Sequence, residues 1–367
     1  MKIVHSCTRY YPYFGGIETH VRNVSERMAK LGHDVLVYTT DPSGKLPSFE
    51  SINGVSVYRF KLIHPNDVYF FSSKLFLALW SVKCDIMHGH DLHTFPLLSV
   101  TQSRGSRRRI ATLHVGGSSS YYRNLLRLPY DGILMHYLLR RVEKIVCVSE
   151  SEMQLYSRIT RLPTSKFVFM PNGTDFSGSN FDSSKKNFRF ILSVGRLEKS
   201  KGFQYLIKSY SMICREKELE DVSLIIIGNG PYKNNLIKLV NELGIEQKVE
   251  MLENVPQERL KRLYQDCDAF VLLSKYESQS IAIVDALAMH KPVITTKQGV
   301  REDYVRKGYC IGVDWPPDPL KVAKELEYVL KNKGIKPTNY LKTCSWDDVT
   351  ERLLFLYDDV LSGKQLF

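Results

Sequence analysis

Short β-branched runs separated by helix-length segments recur along this chain, and no other feature limits its fold as much. Lys2–Ser6, Asp34–Thr39, Val55–Phe60, Asp85–His88, Arg109–His114, Ile145–Val148 and Phe167–Met170 read as strands. So do Phe188–Val194, Val222–Ile227, Val249–Leu252, Ala269–Leu273 and Val293–Thr296. The segments between them carry apolar residues at helical spacing, as in Ile17–Leu31, which Gly32 stops. Strand and helix in alternation require largely parallel sheets covered on both faces, because a parallel neighbour is reached through a crossover. The fold class is therefore α/β. A chain of 367 residues exceeds one ordinary core, and the polar stretch SGSNFDSSKKN at 177–187 divides it. We expect one domain at 1–176, a linker at 177–187, a second domain at 188–340, and a final amphipathic helix within 341–367. No internal repeat is present.

Composition narrows the setting. The apolar fraction is 43%, and no run of about 20 apolar residues could span a bilayer. Met1-Lys2 passes directly into the strand-like Ile3-Val4, so no signal-peptide core is expected. Seven scattered cysteines, Cys147 in KIVCVSE among them, suit buried thiols in a reducing, cytoplasmic compartment better than a disulfide framework. The net charge of +12 is uneven: residues 1–176 hold 22 Lys/Arg against 13 Asp/Glu. Residues 104–141 alone hold eight arginines and one acid, Asp131. Such a patch suits nucleic acid, phospholipid headgroups or a phosphate-bearing substrate, although a solvated basic face would look the same. Asn66–Lys83 and Ser118–Arg141 mix aromatic, apolar and basic residues, and are where a lipid-linked acceptor or an anionic bilayer surface would be met.

The chemistry concentrates in Tyr276–Thr296, YESQSIAIVDALAMHKPVITT. Glu277 precedes two serines able to cap a helix, Ser278 and Ser280, and the apolar run Ile281–Met289 holds a single acid, Asp285. A helix this apolar is buried, and a buried carboxylate needs a partner or takes up a proton. The helix start offers N–H groups and positive dipole to an anion. One ligand with phosphates at that terminus and hydroxyls on Glu277 and Asp285 fits the stretch, and a nucleotide sugar has this layout. An N-capped core helix tolerating one acid would read similarly. In Gly195-Arg196-Leu197-Glu198-Lys199-Ser200-Lys201-Gly202, Arg196 and Lys201 stand near a strand end, where each can pair with phosphate oxygens. Gly15-Gly16 opens the first helix and lets backbone N–H groups approach a ligand. Gly228 makes a similar strand-end turn. No G-x-G-x-x-G is present, which argues against a dinucleotide oxidoreductase.

Taken together these motifs resemble the glycosyltransferases of the GT-B fold, in particular the retaining family 4. Glu277 and Asp285 match its two acids separated by seven residues, with Asp in place of the usual second Glu. Gly15-Gly16 with Glu18 resembles its amino-terminal GG-x-E, and Pro171-Asn172-Gly173-Thr174-Asp175 its Pro-Asn-Gly-x-Asp turn. The loop 195–202 resembles its G-R-L-x-x-x-K-G, and 297–302 its closing Gly-Gly-x-x-Glu turn with one glycine missing. The resemblance implies two Rossmann-like domains facing a cleft, with the tail helix crossing back to the first. It implies donor binding by the second domain and acceptor binding by the first. Arg196 and Lys201 would hold the diphosphate, Glu277 the sugar hydroxyls, Asp285 the ribose, and the backbone at Ser280 and Ile281 a phosphate. Gln279 would help choose the sugar, and the turn at Asn254-Val255 would lie near the base. Gly15, Gly16, Asn172 and Gly228 would complete the donor site, and His114 would sit near the donor sugar.

No metal is expected. His88, His90 and His93 could be mistaken for a zinc site, but no Cys or second cluster in the sequence completes a tetrahedral set. Asp266-Cys267-Asp268 has D-x-D spacing but joins a helix to a strand, where the family has a structural acidic pair. The resemblance thus implies metal-independent, retaining transfer of a sugar from a nucleoside diphosphate to an acceptor hydroxyl, and no nucleic acid is expected as partner. A GT-B phosphorylase or nucleotide-sugar epimerase, or a non-catalytic sugar-nucleotide binder, would share much of this pattern.

Overall fold

The structure is a computed structural model, and it describes residues 1–63, 70–114, 133–176, 188–332, 339 and 341–363. The linker expected at 177–187 and most of the aromatic, basic stretch 118–141 lie outside the described residues. The chain forms two compact units, one of Met1–Gly173 with Trp346–Phe367 and one of Thr174–Ser345.

In the first unit the strands are β1 (Lys2–Cys7), β2 (Asp34–Asp41), β3 (Phe49–Ile52), β4 (Val55–Lys61), β5 (Cys84–His90), β6 (Ser106–Thr112), β7 (Lys144–Cys147) and β8 (Phe167–Phe169). They form one eight-stranded sheet in the order β3-β4-β2-β1-β5-β6-β7-β8. Its ladders are parallel apart from the β3–β4 hairpin at one edge. The crossovers include α1 (Gly16–Lys30), α2 (Ser73–Ser81), α3 (Phe95–Gln102), α4 (Met135–Leu139) and α5 (Glu150–Thr160). Helix α1 buries Val21, Val24 and Met28 along one stripe, each contributing about 1.5–3 kcal/mol of apolar burial.

The second unit holds β9 (Arg189–Val194), β10 (Val222–Ile227), β11 (Val249–Leu252), β12 (Ala269–Leu272), β13 (Val293–Thr296) and β14 (Ile311–Val313). Their order is β11-β10-β9-β12-β13-β14, with all ladders parallel. The helices are α6 (Phe203–Ile213), α7 (Lys233–Glu242), α8 (Gln257–Asp266), α9 (Ile281–Ala288), α10 (Val300–Arg306) and α11 (Pro319–Lys331). Alternate residues of β9 serve different cores. Ile191 packs with Ile207, Leu224 and Leu326, whereas Phe190 and Leu192 pack with Ile225, Ile283 and Leu287.

The tail helix α12 (Trp346–Ser362) belongs to the first unit and packs on α1. It buries Trp346, Leu353, Leu356 and Tyr357. Asp347 accepts a 2.7 Å bond from Arg27 of α1.

Several sequence expectations need adjusting. Strand β5 continues through His90, so His88 and His90 lie inside it, fully buried, and do not follow it. Strand β6 starts earlier and stops at Thr112, which leaves His114 in the turn beyond, with a left-handed φ of 49°. The edge strands β3 and β14 had no clear apolar signal, because an edge needs no face buried on both sides.

Candidate active site

In each unit the strand order reverses once, between β1 and β5 and between β9 and β12, the position at which open α/β sheets bind ligands. In the second unit the loop after β9 runs through Gly195 and Arg196 into a turn at Lys199–Lys201 and ends at Gly202. Gly202 has φ 77°, and a Cβ there would lie 2.0 Å from the Leu273 carbonyl oxygen, so glycine lets this loop rest against the end of β12. Gly228 plays a similar part after β10: its Cβ would lie 1.9 Å from the Gly195 carbonyl oxygen.

That close approach sets up an ion pair. Lys201 Nζ donates to Glu277 Oε1 at 2.7 Å, and Ser274 Oγ donates to the same oxygen at 2.9 Å. Beneath them Arg301 is completely buried and donates to the carbonyls of Ser274, Lys275 and Gln298 at 2.6, 3.3 and 3.2 Å. Burial would raise the Glu277 carboxyl, but the charges of Lys201 and Arg301 and the two hydrogen bonds outweigh it and hold the group below its ordinary range. Glu277 is thus an ionised acceptor, suited to hydroxyl groups. Arg196, over a third exposed, pairs with Glu198 at 2.9 Å. Arg301 escaped the sequence reading, which had treated its segment as a glycine turn ending on Glu302. A buried arginine beside a strand-end carboxylate has no local sequence signal.

The neighbouring positions divide. Gln279 is buried and donates to the Tyr304 hydroxyl at 3.2 Å. Ser280 occupies the N-cap of α9, but neither it nor Ser278 caps the helix through its side chain, contrary to the sequence expectation. The first-turn amides, Ile281 included, therefore lack a hydroxyl cap. Val255 follows Asn254, whose φ is 51°, and packs against the second unit's core. Asp285 has a partner within the protein: Thr174 Oγ1 donates to its Oδ1 at 2.6 Å. Burial pushes the Asp285 carboxyl up to about 7, the Thr174 bond opposes this, and Asp175 adds to it. In the D-x-D segment, Asp268 Oδ2 accepts the Phe190 amide at 2.9 Å and so anchors the start of β9.

The remaining candidates gather in the first unit. Gly15 and Gly16 begin α1, where a Cβ on Gly15 would meet the Glu18 carboxylate at 2.3 Å. One turn on, His20 bonds Asn172 through Nδ1 at 2.8 Å and lies 4.7 Å from the His114 ring centroid. The sequence groups His88, His90 and His93 together, and the structure sets other histidines beside the first two. Five buried histidines meet at the reversal between β1 and β5, because His5 lies opposite His88 in the sheet while α1 and the turn after β6 bring His20 and His114. His5 Nδ1 lies 3.0 Å from His90 Nε2, and His90 Nδ1 lies 3.3 Å from His114 Nε2. Burial drives all five below the ordinary imidazole range, His5 to about 3 and His20 to about 4. They are neutral at physiological pH. His5 and His20 were missed in the sequence because each stands far from the H-x-H segment it joins.

Comparison with known proteins bears on both units. Residues 14–177 match the family model "Glycosyltransferase Family 4", and residues 179–343 match "Glycosyl transferases group 1". The chain belongs to the GT-B glycosyltransferases of family 4. Among curated members it is 27% identical to an uncharacterized glycosyltransferase, MJ1607, of Methanocaldococcus jannaschii, over 97% of this chain and 98% of that one. It is 21% identical to the phosphatidylinositol N-acetylglucosaminyltransferase GPI3 subunit of Saccharomyces cerevisiae, over 97% of this chain and 82% of the relative. Among solved structures, sucrose-phosphate synthase from Thermosynechococcus elongatus superposes with a TM-score of 0.76 at 17% identity, covering 99% of this chain and 100% of the other. That likeness establishes the fold.

Proposed function

We propose that this glycosyltransferase moves a sugar from a nucleoside diphosphate to a hydroxyl of a lipid-linked or saccharide acceptor, with retention and without a metal in the transfer step. The observation that carries the reading is the ionised Glu277 held by Lys201 at the β9/β12 reversal, with Arg196 on the same loop. As the bond between the sugar C1 and the phosphate oxygen breaks, negative charge builds on the leaving diphosphate. Two positioned cations, Arg196 and Lys201, stabilise that charge. Glu277 accepts hydrogen bonds from sugar hydroxyls and orients the ring. Ser280 and Ile281 amides meet a phosphate, Asp285 takes a ribose hydroxyl, and Gln279 borders the sugar. The acceptor oxygen attacks C1 on the face the diphosphate leaves, and its proton passes to the departing phosphate oxygen.

Lys201→Ala is expected to lower kcat by about 100-fold or more, in line with the loss of one preorganised charge-stabilising group. A near-normal rate would overturn the assignment of Lys201 to the diphosphate. A thermal-shift screen against UDP-, GDP- and ADP-sugars, with and without EDTA, identifies the donor class. Saturation at 100 times Kd stabilises by about 2.7 kcal/mol. A shift abolished by EDTA would argue against metal-free binding. Turnover with inorganic phosphate and no nucleotide would indicate a phosphorylase, and turnover of a nucleotide sugar without acceptor an epimerase.

The acceptor side is supported by α2. Its outer face exposes Leu77 and Trp80 beside the exposed Lys74 and Lys83, and Arg104 lies 4.9 Å over the Trp80 ring. Apolar and basic groups side by side suit an anionic bilayer surface, and the yeast relative is named for a phosphatidylinositol substrate. No described helix is long and apolar enough to cross a membrane. We read this face as a peripheral contact on the cytoplasmic side. Leu77→Asp should reduce co-sedimentation with phosphatidylglycerol vesicles several-fold without changing donor-induced stabilisation; equal sedimentation would remove α2 from the contact.

A further inference from the structure

We propose that His20, His90 and His114 form a binding site for one late first-row transition-metal ion of the Zn2+ class. The site lies wholly in the first unit and is independent of the donor reading. Three features converge on it. First, the spacing is that of ligands. Two imidazole nitrogens on one tetrahedral zinc, each about 2.0–2.1 Å from the ion, stand about 3.3 Å apart. His90 Nδ1 and His114 Nε2 are 3.3 Å apart, and the ligand atoms of all three histidines lie within 4.8 Å of one another.

Second, the surrounding hydrogen bonds suit these histidines to the role of ligands. His20 donates its Nδ1–H to the Asn172 side-chain carbonyl at 2.8 Å, which leaves Nε2 as the lone-pair nitrogen. That Nε2 is buried and has no hydrogen-bond partner. His90 has the same arrangement in mirror form. With Nε2–H donated to His5 Nδ1, 3.0 Å away, His90 presents Nδ1 inward to His114 Nε2 at 3.3 Å, and an ion would take the place of the proton those two nitrogens share. Metal-bound histidines are usually fixed by such a second hydrogen bond. An orphaned, fully enclosed imidazole nitrogen is otherwise a cost with no return.

Third, the competing trio does not offer its atoms. His5, His88 and His90 also cluster, but His88 is engaged at both nitrogens, by the Tyr357 hydroxyl at 2.6 Å and the Thr112 hydroxyl at 2.7 Å. Three imidazoles select Zn2+, Co2+, Ni2+ or Cu2+ over Mg2+ and Ca2+, which prefer oxygen. The set contains no carboxylate, so the bound ion keeps its charge, and its fourth position draws water or an anionic oxygen.

The test uses the full chain, freed of metal with a chelator and titrated with Co2+ while following visible absorption, then with Zn2+ by calorimetry. One Co2+ per chain with tetrahedral absorption is expected, displaced by Zn2+ and indifferent to excess Mg2+. His20→Gln and His114→Gln should each weaken Zn2+ at least tenfold, and His88→Gln should not. Circular dichroism and melting confirm folding, and either variant alone suffices if the other fails to fold. Absence of a saturable single site, or unchanged affinity in His20→Gln and His114→Gln, would overturn the proposal. Because no nucleotide sugar is present in the titration, failure of the transferase reading leaves this result untouched.

Discussion

Asp285 shows how one residue can carry two demands. Its carboxyl is raised to about 7 by burial, so the folded state holds a proton that the unfolded chain releases near the ordinary value of 3.8. Between those values the folded protein binds more protons, and stability falls as pH rises through that window. Asp285→Asn keeps an oxygen for Thr174 but carries no charge. Its melting temperature should match wild type near pH 4, and the variant should become the more stable of the two by pH 8. Equal melting at pH 8 would show that the acid is not held in its raised state. The sequence showed that this acid needed a partner, because an apolar helix surrounds it. It could not show that Thr174 supplies one, since 111 residues separate the two. Arg196, Lys201 and Glu277 were legible for the opposite reason: each lies in a short stretch whose residue types already state the chemistry. Arg301 was not, because its partners are backbone carbonyls, which leave no trace in side-chain identity.

At the level of elements, the central strands were readable wherever both faces are covered, as in Val222–Ile227, VSLIII. Phe49–Ile52 and Ile311–Val313 were not, since a short edge strand can hold Glu50 or Gly312 without loss. Strand ends were misplaced at His88 and Thr112 because histidine and threonine read equally as strand or turn. Helix α12 illustrates what packing adds to an amphipathic pattern. Its Tyr357 hydroxyl bonds His88 Nδ1 at 2.6 Å across a fully buried contact. Tyr357→Phe should cost roughly 1–3 kcal/mol by leaving a buried nitrogen without its partner. Urea denaturation monitored on the first unit checks this, and an unchanged midpoint would make the bond energetically idle.

For the whole molecule, the two units should respond to acid in opposite directions. The five first-unit histidines titrate below 6.5 when folded, so the unfolded chain takes up more protons as pH falls below that value. Each fully linked histidine removes about 1.4 kcal/mol per pH unit below 6.5, until its folded pKa is reached. Asp285 in the second unit contributes in the reverse sense between about 4 and 7. On the metal-free protein, intrinsic-rate-corrected hydrogen exchange at pH 5.5 and 7.5 should show β1 and β5 losing protection on acidification while β9 and β12 hold theirs. Uniform loss in both units would contradict the assignment. The discontinuity of the first unit has a further consequence, for the order of assembly on the ribosome. Residues 1–173 are made first, yet their last helix, 346–362, is made after the entire second unit. The second unit can close its core while the first still waits with α1 uncovered and His88 lacking Tyr357. Nascent chains should therefore shelter an incomplete amino-terminal half, in need of chaperone cover, until residues 346–362 have emerged.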